Sequence, residues 1–271
     1  IDGTSYAATD FGEFDTNGNW VPIDPSGLTF GTNGFWLDFA IAPGTGNGAG
    51  EDVSGNDNHW TESGLAANDQ TTDSPTDDAD NDVGNYCTLS PLDSYTSNVL
   101  SNGNLSLNAS GNAATGSTIA MESGEYYMEF TRGSTNTFIG LIETGLHHSS
   151  RADGYLYGTA GNTAVTYYSA NGSEYFNGSS VAYGATYTTS DVIGIHYNAD
   201  TGVIEFYKNN VSQGTTTNNV SAPAIFIFGG DGDVNYGQEG FTYTPPTGAV
   251  ALHTGNLPTP AVKDPSAHYA S

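Results

Sequence analysis

The sequence predicts an all-β protein, and three observations predict it. Helical periodicity is missing: no window of a dozen residues carries apolar side chains at three-and-four spacing, because Gly, Asn, Thr and Ser break every run. Short runs rich in Val, Ile, Phe and Tyr recur instead, at 125–130, 138–142, 155–157, 164–168, 192–197, 203–208 and 224–228. Turn residues separate them at the spacing of a sandwich. Within a run the pattern alternates: Ile204 and Phe206 fall on one face, Glu205 and Tyr207 on the other, as a half-buried strand requires. A chain of 271 residues can bury a substantial core, in one large or two small domains.

Taken in order, residues 1–85 are loop-rich and extended. Five aspartates crowd residues 73–82 among Ser, Thr, Pro and Asn, which is too polar for a core and reads as a linker. A sandwich over 86–248 follows. Its clearest element is 191–214, DVIGIHYNADTGVIEFYKNNVSQG, in which two β-rich runs flank Asn198-Ala199-Asp200-Thr201-Gly202. Gly202 is placed to take a positive φ. Asn209-Asn210 offers a second tight turn, since asparagine tolerates the left-handed region. Residues 249–271 form an extended tail, and three prolines fall in its last fifteen residues.

The 191–214 segment resembles the signature hairpin of the SPRY family, D-x-I-G followed by G-x-I-x-F-x-K-N-G, departing at Asn210 where the family prefers glycine. Asn235-Tyr236-Gly237, Phe241-Thr242-Tyr243 and Pro245-Pro246-Thr247-Gly248 are similar to the family's closing strand and exit. The resemblance spans roughly 90–248 and implies a bent, concanavalin-A-like β-sandwich that binds partners through loops. It implies no chemistry. Further upstream, Gly31-Thr32-Asn33-Gly34-Phe35-Trp36-Leu37-Asp38-Phe39 and Asp52-Val53-Ser54-Gly55-Asn56-Asp57-Asn58-His59-Trp60 resemble the exit of a laminin-G-like sandwich and the linker after it. Phage and marine-virus structural proteins place these pieces in this order. The arrangement implies that most of the laminin-G-like domain lies upstream of Ile1, in a longer polypeptide.

Composition excludes several function classes. Lys and Arg total 4 against 30 Asp and Glu, a net charge of −26. Nothing in such a chain replaces the counterions of a nucleic acid, and an anionic membrane surface is disfavoured for the same reason. No apolar run is long enough to span a bilayer. Self-repulsion of this size suits a saline medium, because the Debye length falls from about 10 Å at about 0.1 M salt to about 3 Å at about 1 M. The lone Cys87 makes no intramolecular disulfide, and between Tyr86 and Leu89 it reads as a small buried hydrophobe.

Chemistry-bearing motifs are sparse. Glu13 with Asp15 is the nearest approach to a glycosidase pair, yet the third acid of the laminarinase-like pattern is missing. His147-His148 would point to opposite faces of a strand, a poor chelate. Oxygen-rich segments suit calcium better, with Asp77, Asp78, Asp80, Asp231 and Asp233 as the candidate ligands and no cofactor required. Seven of the 17 tyrosines lie between 155 and 187. Tyr183 and Tyr187 belong to a packed family segment. Tyr175 and Phe176, between Asn171-Gly172 and Asn177-Gly178, are expected on an exposed hairpin tip, where Asn171 and Asn177 would join them in gripping a glycan or a protein. Six Asn-x-Ser patterns occur and are read as coincidence in an Asn- and Ser-rich chain.

These readings converge on a non-enzymatic virion appendage, a tail fibre, spike or surface fibre. It would act at the virion surface, associate with itself or other virion proteins, and present a SPRY-like module to a host-surface glycan or protein. The alternative is a subunit of an extracellular filament or sheath made by a cell. A polysaccharide-degrading enzyme ranks third, because fold analogy is its only support.

Overall fold

A computed structural model describes residues 1–14, 20–73, 84–109, 113–144 and 163–258. The chain divides into two units, Ile1–Thr72 and Asp73–Ser271. The first is loop-rich, as expected. Its strands β1 (Gly12–Phe14) and β2 (Trp20–Pro22) pair antiparallel, and short 3-10 turns occur at Ala8–Asp10, Gly48–Gly50 and Ala67–Asp69. Phe30 is the one large apolar side chain buried among its described residues.

Among its described residues the second unit holds fourteen strands. They run as β3 (Leu89–Ser94), β4 (Val99–Ser101), β5 (Ser106–Asn108), β6 (Ala114–Ser117), β7 (Glu125–Arg132), β8 (Phe138–Glu143) and β9 (Val165–Tyr168). After these come β10 (Ser173–Phe176), β11 (Ser179–Ala182), β12 (Val192–Asn198), β13 (Val203–Lys208), β14 (Val211–Thr215), β15 (Ala224–Gly229) and β16 (Asp231–Asn235). One seven-stranded sheet has the order β11-β10-β9-β8-β15-β6-β3, the other β14-β13-β12-β7-β16-β5-β4. The strand pairs in both sheets are antiparallel, and together the sheets make a β-sandwich.

Alternation builds the core between the sheets. Tyr126, Met128 and Phe130 of β7, Ile193, Ile195 and Tyr197 of β12, and Ile204 and Phe206 of β13 belong to the same buried cluster as Ile139, Leu141, Val165, Tyr167, Phe226 and Phe228 of the other sheet. Removing that much aromatic and aliphatic surface from water is the main favourable term in folding. Cys87 sits in this cluster, fully buried, as its neighbours in sequence suggested. Phe138, Ile142 and Ile227, on the opposite face of β8 and β15, form a second buried cluster.

The predicted turns form by the predicted chemistry. Gly202 has φ +75° in the β12–β13 connection. Lys208 pairs with Val211 across a two-residue loop, in which Asn209 and Asn210 have φ of 47° and 66°. Two consecutive positive φ values give the turn whose twist matches that of the flanking strands. The runs at 155–157 and the tail beyond 258 lie outside the described residues.

Candidate binding surfaces

The expectation of a single exposed tip at 171–179 needs correction. Asn171-Gly172 and Asn177-Gly178 are two separate turns at opposite ends of β10, and Phe176 pairs with Ser179 across the second. Tyr175 and Phe176 lie on the strand between them. Both are half-buried and face opposite ways. Tyr175 packs edge-on against Phe138 and Tyr168, with centroids 5.4 and 5.9 Å apart, while Phe176 packs on the main core. Asn171 Oδ1 accepts the Ser173 amide at 3.0 Å, a local turn bond. Asn177 is exposed with φ 50°.

Among the calcium candidates, Asp77, Asp78 and Asp80 lie outside the described residues. Asp231 accepts bonds from the Ser134 amide at 2.7 Å, the Ser134 hydroxyl at 3.0 Å, the Thr135 amide at 2.5 Å and the Thr135 hydroxyl. Burial alone would raise its pKa, but these donors prevail and hold it at about 2. Asp233 accepts from Ser106 Oγ at 2.6 Å. Asp231 thus anchors a turn. Among the described residues no three His, Cys, Asp or Glu side chains come together as a metal site. Glu13 is exposed on β1; Asp15, His147 and His148 lie outside the described residues.

A surface that the sequence did not announce is the end of the sandwich where loops 133–137, 188–191 and 209–210 meet. The Arg132 amide donates to Asp191 O at 3.0 Å and the Ser190 amide to Arg132 O at 2.8 Å. Thr189 Oγ1 donates to Gly133 O at 3.0 Å. Asn209 joins the third loop, with Nδ2 on Asp191 Oδ1 at 2.7 Å and Oδ1 accepting the Val192 amide at 2.9 Å. Charged groups pin the loops further. Arg132, 7% exposed, donates through Nε to Thr135 O at 3.0 Å and through Nη2 to Asn136 Oδ1 at 3.2 Å. Lys208 Nζ reaches Thr186 O at 2.8 Å and Asp191 Oδ2 at 3.2 Å. Arg132 and Lys208 are the only Lys or Arg side chains among the described residues, and both serve this rim.

Tyr187 stands beneath the rim, with its hydroxyl 2.9 Å from Tyr167 O and 3.2 Å from Thr137 O. Full burial pushes its ionisation far above the ordinary tyrosine range. Ser134, Thr135, Asn136, Thr188, Thr189, Ser190 and Asn210 remain exposed above these anchors. The result is a polar, preorganised surface that can contact a partner with little ordering cost.

On the outer face of the second sheet, Glu129 is 2% exposed and accepts the Thr242 and Tyr243 amides, each at 2.8 Å. Phe241 packs edge-on against Tyr127, centroids 5.0 Å apart. Beside that covered patch His196 Nε2 meets Glu125 Oε2 at 2.9 Å, and Asn198 Nδ2 donates to Glu125 Oε1 at 2.9 Å. Both oxygens of Glu125 are therefore engaged, which suits a structural acid better than a proton shuttle.

Two antiparallel sheets, with loops at one end locked by side-chain bonds, define a β-sandwich of the binding-module class. Residues 125–239, from the start of β7 to just past β16, match the SPRY domain family, and this segment is a SPRY domain. Similar solved structures include the SPRY domain of human HERC1, at 18% identity over 54% of this chain and 95% of that chain, with a TM-score of 0.44. Stonustoxin is similar at 16% identity over 55% of this chain and 26% of that one, TM-score 0.45. The TRIM65 PSpry domain is similar at 14% identity over 55% and 90%, TM-score 0.44. A search of curated proteins finds no match. SPRY domains are in general non-catalytic modules of protein interaction.

Proposed function

We propose that the chain is a non-enzymatic structural part of a virion appendage, whose SPRY domain recognises a host-surface glycan or protein through the rim of loops 133–137, 188–191 and 209–210. The rim carries this reading. Its backbone is held by Arg132, Asp191, Asn209 and Asp231 before any partner arrives, while its outermost hydroxyl and amide side chains are left exposed. The order of the motifs upstream and the net charge of −26, which suits a saline medium, support placing the module on a marine virus. Affinity would come from several copies on one appendage rather than from one strong site.

The test is binding of the labelled full chain to intact cells and their isolated surface polymers at high salt. Saturable binding that falls at least tenfold in Thr189→Arg and Asn136→Arg supports the reading. Binding that both variants retain moves recognition away from the rim. No binding, by a protein that still assembles into fibres, leaves building the particle or filament as the function.

A further inference from the structure

Residues 52–60 fold around one carboxylate. Asp52 is 4% exposed; its Oδ1 accepts the Trp36 and Ser54 amides, each at 2.9 Å, and its Oδ2 accepts the Asn58 amide at 2.9 Å. Burial opposes the charge, yet these donors hold the Asp52 carboxyl well below the usual range. Two asparagines tie the loop to residues 31–34. Asn56 Nδ2 donates to Gly31 O at 2.6 Å and Gly34 O at 3.0 Å, and Asn58 Nδ2 to Thr32 O and Gly34 O, each at 2.9 Å. The Trp60 amide closes the loop on Gly50 O at 2.8 Å. Polar bonds, not a hydrophobic core, make this segment rigid.

Its outward side is aromatic. Phe35 and Trp60 are 39% and 56% exposed, with ring centroids 5.0 Å apart and planes tilted by 56°. Among the described residues, nine of the fourteen exposed large hydrophobic side chains belong to the first unit, and a paired Trp and Phe on a fixed loop is a surface kept for contact. The loop that carries Trp60 also carries polar groups. His59 Nδ1 accepts the Asp52 amide at 3.1 Å, so the neutral ring carries its proton on Nε2. That N–H lies 3.8 Å from Asp57 Oδ1, and the Asp57 side chain is 88% exposed with a backbone φ of 57°. With its Nδ2 committed to the backbone, Asn56 keeps Oδ1 without a protein partner among the described residues.

We propose that Phe35 and Trp60, with Asn56, Asp57 and His59, form a binding site for a neutral carbohydrate chain. The rings would cover the C–H faces of a sugar, while the imidazole N–H, carboxylate and amide oxygen exchange hydrogen bonds with its hydroxyls. Charge selects this occupant. Residues 1–72 contain eleven Asp and Glu and no Lys or Arg, so a sulfated or uronic polymer is repelled. The site lies outside the SPRY domain and does not depend on the rim.

Affinity electrophoresis of the full chain tests it, in gels containing dextran, laminarin, xylan or mannan, with heparin as the polyanion control. At least one neutral polymer should retard the protein and heparin should not. Trp60→Ala and Phe35→Ala should each weaken that binding at least tenfold, and the second variant keeps the test readable should the first not fold. Leu92→Ser, at a β3 position 95% exposed and outside both surfaces, should leave it unchanged. Retardation by none of the neutral polymers, or retardation that survives both ring substitutions, overturns the proposal. So does an equal loss on Leu92→Ser. Sedimentation showing that Trp60→Ala dissociates an oligomer would make the ring pair an interface between copies and overturn it equally.

Discussion

The hydroxyl of Tyr127 fills the space that a β-carbon on Gly194 would need. The two residues are neighbours on the outer face of the second sheet, on β7 and β12, and only a residue without a side chain lets the ring lie flat across the strand. The same hydroxyl comes within 3.4 Å of Glu129 Oε1, the acid that holds the 242–243 backbone. Gly194 is therefore part of what fastens residues 241–243 to the sheet.

Gly194→Ala should displace Tyr127 and destabilise the sandwich by about 1–3 kcal/mol, as overpacking does. Urea denaturation reads the loss. The two positions should also couple: Tyr127→Ala should cost less in the Gly194→Ala background than in the native one. Additive costs would show that the contact is not shared.

The Asn209-Asn210 turn should accept glycine with a gain. At Asn210, φ is 66°, a conformation glycine adopts without a β-carbon clash. Asn210→Gly should leave the melting temperature level or raise it by a few degrees, and Asn210→Val should lower stability by about 1 kcal/mol or more. Thermal unfolding of the three proteins settles the ranking.

Alkali should unfold the sandwich cooperatively. Burial pushes Tyr167 and Tyr197 up to about 12, and Tyr127, Tyr183 and Tyr187 higher still. An exposed tyrosine titrates near about 10. The unfolded chain loses these protons first, so their contribution to stability is whole below about pH 10 and falls as pH rises through 12. Phenolate absorbance and circular dichroism should change together above pH 11. Complete tyrosine ionisation near pH 10 with the β signal intact would contradict it.

Much of the sandwich was legible because its strands obey local rules. Ile204 and Phe206 are buried and Glu205 and Tyr207 half-exposed, as the alternation at 203–208 required. Glu174 shows where that reading stops. It lies on the strand face of Phe176, yet is 1% exposed, because the amides of Thr217 and Asn218 meet its carboxylate at 2.7 and 2.9 Å. No spacing rule announces a partner more than forty residues away. Asn171 and Asn177 misled for a related reason. Each Asn-Gly correctly marks a turn, but a four-residue strand between two turns sends them to opposite ends.

The sequence by itself determined the all-β class, the 203–208 strand and the turns that bound it, the burial of Cys87, the likeness to SPRY domains and the absence of polyanion-binding charge. These follow from periodicity, turn conformations and net charge, which act over a few residues or over the whole composition. Only the tertiary structure decided which polar groups meet. Arg132 and Asp231 gripping one turn, Glu129 holding Thr242, and Asp52 gathering Trp36 and Asn58 depend on strand order and loop closure. Such contacts form between groups far apart in sequence, and each acid had many equivalent donors to choose from until the fold placed one beside it.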